Sequence, residues 1–147
     1  MNAALSTSAA VVVRRTIAAS PDVLFDAWLD PISLSHWMRP GGIHSTQARV
    51  DPRVGGEYEV IMRTDTNPIR HRGVYRAIDR PRRLVFTWES PPTDHRETLV
   101  TVDFIPKGKS TEIVVTHEQL PESARPEHTK GWTGAIEKLA QFVEARA

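Results

Sequence analysis

Two histidines are the residues of this chain best placed to do chemistry in an apolar setting. His117 follows Ile113 and Val115 at alternating positions, and His71 shares its parity with Tyr75. Because alternate residues of a strand share one face, each imidazole is predicted to face the apolar side. A histidine in such a place can anchor a ligand carbonyl or act as a general base. The other interpretation, which the pattern favours for His117, is a core histidine hydrogen-bonded to the backbone.

No pattern of established catalytic chemistry accompanies these histidines. The sequence has no HExxH pair, no dense cluster of acidic residues, no GxSxG nucleophile turn and no glycine-rich phosphate loop. It has no cysteine, which excludes disulfides, thiolate metal ligands and cysteine nucleophiles. Two histidines without a carboxylate at ligand spacing are weak evidence for a metal site. We therefore predict no catalytic residue set, no metal and no cofactor.

Length and composition indicate an ordinary globular domain. The 147 residues suffice for a single domain, and 39% hydrophobic with 25% charged residues excludes long disorder, collagen and coiled coil. The longest apolar run, residues 9–13, is far shorter than the roughly 20 residues of a membrane helix. The first ten residues lack the basic and apolar regions of a secretion signal. We expect a cytoplasmic protein without membrane contact, with a flexible tail over 1–9 and one domain over 10–147.

Arginines are concentrated in the middle of the chain. The segment from residue 63 to residue 83 contains seven arginines and two aspartates. The arginines are Arg63, Arg70, Arg72, Arg76, Arg80, Arg82 and Arg83. The formal net charge of +1 predicts no strong general attraction to polyanions. A nucleic-acid surface is conceivable here, but arginines at alternating strand positions are typical of a solvent face. We favour the solvent face and expect no nucleic-acid partner.

The N-terminal third predicts a strand followed by two short helices. Residues 11–17 are rich in β-branched side chains and predict the strand. Ser20 and Pro21 are typical of the cap and first position of a helix. An Asp-Pro pair at 30–31 ends that helix, and a second short one follows over 32–37.

The rest of the chain predicts a run of strands and one long helix. From residue 46 to 119 the apolar period is two, and the short turns indicate an antiparallel meander. Residues 122–146 have helical periodicity and span roughly 35 Å, about the length of a ten-residue strand. The apolar face of this helix consists of Trp132, Ile136, Leu139 and Val143. One long helix therefore fits across one long curved sheet.

Such a sheet is wider than its helix. One helix covers roughly 10 Å, so side chains, the short helices or a ligand must fill the remaining concavity. Aromatic and sulfur-containing walls are what small-molecule cavities are built from. The inward-facing set is of this kind and comprises Tyr58, Met62, Tyr75, Phe86, Trp88, Phe104 and Trp132. The pattern alone leaves both a filled core and a cavity open.

Short stretches spread over about nine tenths of the chain carry a family resemblance. They include WMRPG at 37–41, DPRVGG at 51–56, PRRLVFTW at 81–88 and THE at 116–118. In these stretches and their order, the chain resembles the heat-shock-protein-90 ATPase activator homologue family of the START-like, helix-grip superfamily. The resemblance implies an α+β fold, in which a curved antiparallel sheet of six to seven strands wraps around a long C-terminal helix. Two short helices would follow the first strand, with a cavity between sheet and helix.

The resemblance implies that this cavity holds a small apolar or aromatic molecule. Relatives in the superfamily carry lipids, hormones or polyketides, and some are cyclases or hydrolases. Trp37, Met38 and the loop at 40–42 would lie at the cavity mouth, either as a gate or as a plug. The predicted ligand-binding residues are Trp37, Met38, Tyr58, Met62, His71, Tyr75, Phe86, Trp88, Val102, His117, Trp132 and Ile136.

Three functions follow from this sequence, and small-molecule binding leads. The second is a cavity-based cyclase or hydrolase that uses His117 with a cavity water. The third is a protein-interaction module, either a homodimer or a chaperone co-factor in the stress response. The chaperone activators resemble this chain only in their second domain and contact the chaperone through a preceding one. We therefore do not expect chaperone contact.

Overall fold

This computed structural model describes residues 10–145 of the chain. Within them it has seven strands and three α-helices. The predicted tail over 1–9 lies outside the described residues, as do the last two positions. The elements are β1 (Val11–Ile17), α1 (Pro21–Leu29), α2 (Pro31–Trp37), β2 (Ser45–Val50), β3 (Glu57–Arg63), β4 (Pro68–Asp79), β5 (Arg83–Trp88), β6 (Thr98–Lys107), β7 (Ser110–Glu118) and α3 (Arg125–Glu144). Single 3-10 turns at Pro91–Thr93 and Glu122–Ala124 precede β6 and α3.

All seven strands form one antiparallel sheet in the order β1-β7-β6-β5-β4-β3-β2. Strands β2 to β7 follow one another as a meander. Strand β1 pairs with the last of them, β7, so that Val11 lies opposite His117. The sheet curls into a half-barrel, and α3 covers its concave side with Trp132, Ile136 and Leu139 buried. The predicted α+β helix-grip fold, with its long C-terminal helix and two short helices after β1, is confirmed.

The long helix begins three residues later than its periodicity predicts. Residues 122–124 form a separate 3-10 turn, and α3 starts at Arg125 with Pro126 in its first turn. Proline has no N–H to bond a preceding carbonyl, so it suits the first turn of a helix and not its interior. The position of Pro126 therefore explains the later start.

A side chain caps the start of each short helix, and the sequence predicts the first of these caps. The Ser20 hydroxyl accepts the Val23 N–H at 3.3 Å and opens α1. Asp30 ends α1 and caps α2, where its carboxylate accepts the Ser33 N–H at 3.3 Å. The indole of Trp37 donates to the Ala27 carbonyl at 3.0 Å. This buried bond fixes the angle between α1 and α2 and seats both against the core.

Strand β4 bends where its backbone comes very close to β5. Its register with β5 shifts between Tyr75 and Ala77, which is a β-bulge. A bulge increases local twist, so it helps to curl the sheet. A Cβ on Gly73 would lie 1.9 Å from the Thr87 carbonyl oxygen, so only glycine fits there. The bend interrupts the simple period-two pattern of this strand.

Gly73→Ala is expected to lower the free energy of unfolding by about 1–3 kcal/mol, because the added methyl must push two strands apart. Urea denaturation measures the change. Gly131→Ala is the control, since a Cβ there meets no atom within 4 Å and alanine favours the helix. A Gly73→Ala variant as stable as the wild type would refute the close approach.

An aromatic cluster fills the deep part of the concave side. It includes the four tryptophans of the chain, and the ring centroids of Trp28 lie 4.7 Å from Trp37 and 6.0 Å from Trp132. The centroids of Trp88 and Trp132 are 5.2 Å apart. A void of about 20 Å³ lies among these rings, which is room for about one water molecule. The deep hollow is therefore occupied mostly by the protein itself.

Candidate functional site

A larger cavity, of about 280 Å³, lies at one end of the concave side. Its walls are the end of β3, the start of β4, the end of β5, the first half of α3 and the loop that follows α2. The lining residues are Met38, Pro40, Gly41, Ile43, Met62, Ile69, His71, Trp88, Pro92, Glu127, His128, Lys130, Gly131, Trp132 and Ala135. Most of this surface is apolar, which suits a ligand with little charge.

Strand alternation and helix periodicity explain why these side chains meet. On the sheet, Met62, His71 and Trp88 are buried and belong to the concave face of three neighbouring strands. On α3, His128, Trp132 and Ala135 follow the i, i+4, i+7 spacing of one helix face. The cavity lies between these two faces, beyond the end of the aromatic cluster.

The predicted ligand-binding residues fall into three groups. Those that line the cavity are Met38, Met62, His71, Trp88 and Trp132. Tyr58, Tyr75 and Phe86 surround the small void, together with Met38 and Trp88. The last group is buried in the core and lines neither space; it consists of Trp37, Val102, His117 and Ile136. Pro40 and Gly41 of the predicted mouth loop line the cavity.

Sequence reasoning did not single out one polar wall residue, His128. It lies one helical turn before Trp132, so the spacing was available in the sequence. Because His128 is polar, it does not belong to the apolar face of the helix, which begins at Trp132. Seven other lining residues are not indicated as ligand-binding by the sequence pattern: Ile43, Ile69, Pro92, Glu127, Lys130, Gly131 and Ala135.

His117 forms hydrogen bonds through both ring nitrogens, in a chain that runs from the Trp132 indole to the Trp88 carbonyl. The Trp132 indole N–H donates to Nδ1 of His117 at 3.0 Å, so Nε2 is assigned the proton. Nε2 then donates to the Thr98 hydroxyl at 2.7 Å, and this hydroxyl donates to the Trp88 carbonyl at 2.5 Å. Burial, together with a smaller effect of nearby His128, lowers the pKa of His117 to about 3. His117 is a neutral core histidine, bonded to side chains rather than to the backbone.

The other two histidines line the cavity itself. Nδ1 of His71 lies 3.3 Å from the Val60 carbonyl oxygen, and the ring centroid is 4.8 Å from that of Trp88. Nδ1 of His128 lies 2.8 Å from the Ala124 carbonyl oxygen. A backbone carbonyl at Nδ1 therefore helps to orient each ring.

The remaining polar groups near the cavity are few. Glu127 and Lys130 of α3 are exposed at its rim, and the buried indole N–H of Trp88 has no acceptor within residues 10–145. Deeper in, the Tyr58 hydroxyl donates to the Thr87 carbonyl at 2.5 Å, and burial raises the pKa of this hydroxyl. Within residues 10–145, no three His, Asp or Glu side chains come together as a metal-binding group.

The arginines between residues 63 and 83 are all exposed to solvent, as the solvent-face interpretation predicts. Arg70 pairs with Glu59 at 3.0 Å and Arg72 with Glu89 at 3.1 Å. The other ion pairs are Arg76–Glu97, Arg80–Asp26, Arg82–Asp79 and Arg83–Asp103. Carboxylates thus neutralise much of the positive charge. None of the helices within residues 10–145 has the length and apolar composition of a membrane-spanning segment.

Comparison with known proteins agrees with this architecture. Residues 18–144 match the sequence profile of the family described as Activator of Hsp90 ATPase homolog 1-like protein. The chain belongs to this family, and the resemblance predicted from its sequence is confirmed. A search of curated proteins gave no significant match.

Solved structures with little sequence similarity share the fold. Protein CV1439 from Chromobacterium violaceum superposes with a TM-score of 0.82 at 23% identity, over 93% of this chain and 98% of that one. A protein from Arthrobacter aurescens gives 0.84 at 18% identity, over 95% and 88%. The AHSA1-like protein from Aeromonas hydrophila gives 0.76 at 23% identity, over 93% of each chain. At these identities the likeness shows the START-like fold alone.

Proposed function

We propose that this protein binds a small apolar or aromatic molecule in the cavity between its sheet and α3. The observation that carries the proposal is the cavity of about 280 Å³, walled by methionine, isoleucine and tryptophan side chains. Family membership supports it, because the fold is that of a ligand-binding START-like domain. Affinity would come mainly from apolar burial, at about 25 cal/mol per Å² before the cost of association.

The size of the cavity limits what it can hold. Its volume is just below the range of about 300–1,000 Å³ typical of pockets for drug-sized ligands. The aromatic cluster behind Trp88 and Trp132 blocks extension into the deep hollow. A long acyl chain would have to displace packed rings, so we propose a compact ligand of one to three rings.

Binding of the neutral fluorescent probe N-phenyl-1-naphthylamine tests the proposal. We expect saturable fluorescence enhancement with the wild type. Gly131→Leu is expected to abolish it, because Gly131 lines the cavity and the leucine side chain would enter open space. Thr133→Leu is the matched control, on the exposed side of the same helix, and is expected to keep wild-type affinity. No binding to the wild type, or equal binding to the Gly131→Leu variant, would contradict the proposal.

Catalysis and protein interaction are not part of this proposal. Both ring nitrogens of His117 are engaged within the protein, so neither is free to activate a water. Homodimer formation and chaperone contact have no observation among the described residues in their favour.

A further inference from the structure

The polar groups of the cavity are distributed unevenly between its sheet wall and its helix wall, and this distribution affects the kind of molecule that the cavity can bind. Its sheet wall is apolar except for two rings, those of His71 and Trp88. On the helix wall, His128 is half-buried, and Glu127 and Lys130 are exposed at the rim. Selection of a polar group inside the cavity therefore depends on the imidazoles, since the two charged side chains reach solvent and the indole N–H of Trp88 is enclosed by protein atoms.

The hydrogen bonds of these imidazoles decide which polar atom each one offers. Nδ1 of His71 faces the Val60 carbonyl oxygen at 3.3 Å, and Nδ1 of His128 faces the Ala124 carbonyl oxygen at 2.8 Å. A carbonyl oxygen only accepts, so Nδ1 must carry the proton in both rings. In a neutral imidazole, Nε2 is then a lone pair that accepts a hydrogen bond and cannot donate one.

Both rings are neutral near pH 7. Burial, together with a smaller effect of nearby His128, lowers the pKa of His71 to about 4, against the raising effect of the Val60 and Ile69 backbone carbonyls. Burial also lowers the pKa of His128, against the raising effect of the Ala124 carbonyl. The cavity thus contains acceptor nitrogens without an imidazolium charge to attract a carboxylate.

His71 is the better placed of the two acceptors. Its side chain is 6% exposed, whereas His128 is half-buried near the rim where water competes. The ring of Trp88 lies 4.8 Å from that of His71 and gives an aromatic ligand a surface to pack on. An apolar ligand alone would leave the Nε2 lone pair of His71 desolvated and unpaired, which is unfavourable.

From this geometry we infer that the cavity selects neutral aromatic molecules that carry a hydroxyl group, and that this hydroxyl donates to Nε2 of His71. The inference rests on the proposed function and specifies its ligand class as phenols and hydroxyarenes. An aryl ether of the same shape lacks the donor and leaves Nε2 unpaired. An aryl carboxylate would bring a charge into an apolar space next to two lone pairs.

Displacement of N-phenyl-1-naphthylamine by 2-naphthol and by 2-methoxynaphthalene tests the inference at pH 7.5. The two competitors share a ring system and differ in the donor. We expect the wild type to bind 2-naphthol about tenfold more tightly, the typical effect of one buried hydrogen bond. In His71→Phe the two affinities should become equal, and in the matched variant His128→Phe the preference should persist.

An NMR measurement covers the case in which His71→Phe does not fold. In the wild type labelled with ¹⁵N-histidine, addition of 2-naphthol should move the Nε2 resonance of His71 to lower frequency, as hydrogen-bond acceptance does. Addition of 2-methoxynaphthalene should leave that resonance near its free position.

The outcomes separate the two proposals. Equal affinities of the wild type for the two competitors, or a preference that survives in His71→Phe, overturn the inference while the proposed function stands. A wild type that binds neither compound nor the probe overturns both.

Discussion

Trp88→Ala is expected to lower the free energy of unfolding by about 3–5 kcal/mol, the usual loss for a buried tryptophan. Trp88 is 5% exposed, and its ring centroid lies within 6.5 Å of the centroids of Tyr58, His71, Phe86, His117 and Trp132. Because it lines both the cavity and the small void, the variant should also bind N-phenyl-1-naphthylamine about tenfold more weakly. Urea denaturation and probe titration measure the two effects.

Phe104→Ala separates packing from binding. Phe104 is 2% exposed and packs against Phe25 at 5.1 Å between ring centroids, but it lines neither space. Its replacement should cost a similar amount of stability and leave the probe affinity of the folded protein unchanged. Trp88→Ala with wild-type probe affinity, or with a stability loss below about 1 kcal/mol, would refute the position assigned to Trp88.

Acid is expected to destabilise the protein well above the pH at which its buried histidines titrate. Burial lowers the pKa of His117 to about 3 and that of His71 to about 4. In the unfolded chain the pKa values of both histidines return to about 6.5. Below that pH the unfolded state therefore binds protons that the folded state does not bind. Stability therefore falls as pH is lowered through 6.5 and continues to fall towards 4. At pH 4.5 each of the two histidines should lower the free energy of unfolding by roughly 2–3 kcal/mol.

His117→Gln isolates this contribution from that of the carboxylates. The amide can donate to Thr98 and accept from Trp132, as the imidazole does, but it does not titrate. Urea denaturation of both proteins at pH 7.5 and 4.5 gives the comparison. Between these values the variant should lose about 2 kcal/mol less than the wild type. Equal losses would show that His117 is not kept neutral by burial.

Local sequence patterns were enough to predict the elements that frame the site. Ser20 predicts the start of the first short helix, because capping needs only neighbours in the chain. The alternation of Met62 and His71 on their strands placed both on the concave face, where they line the cavity. The predicted fold class rests on such short-range rules together with the family resemblance.

The division between cavity and core could not be predicted in the same way. It depends on how far the rings of Trp28, Trp37 and Trp132 fill the hollow, which is a matter of volume and rotamer in three dimensions. The bond between the Trp132 indole and His117 likewise needs the registry of α3 on the sheet. Strand alternation predicts the face of the sheet on which His117 lies, but it does not predict the hydrogen bonds of His117 to Trp132 and Thr98.

Methyl NMR of the wild type with saturating N-phenyl-1-naphthylamine tests the ligand cavity most directly. The aromatic probe should shift the methyl signals of four lining residues, Met38, Ile43, Met62 and Ile69, through its ring currents. The methyls of Ile17 and Ile113, which are fully buried away from the cavity, should stay in place. Shifts confined to surface methyls, or no shift at the four lining residues in a probe-bound sample, would contradict a ligand site between the sheet and α3.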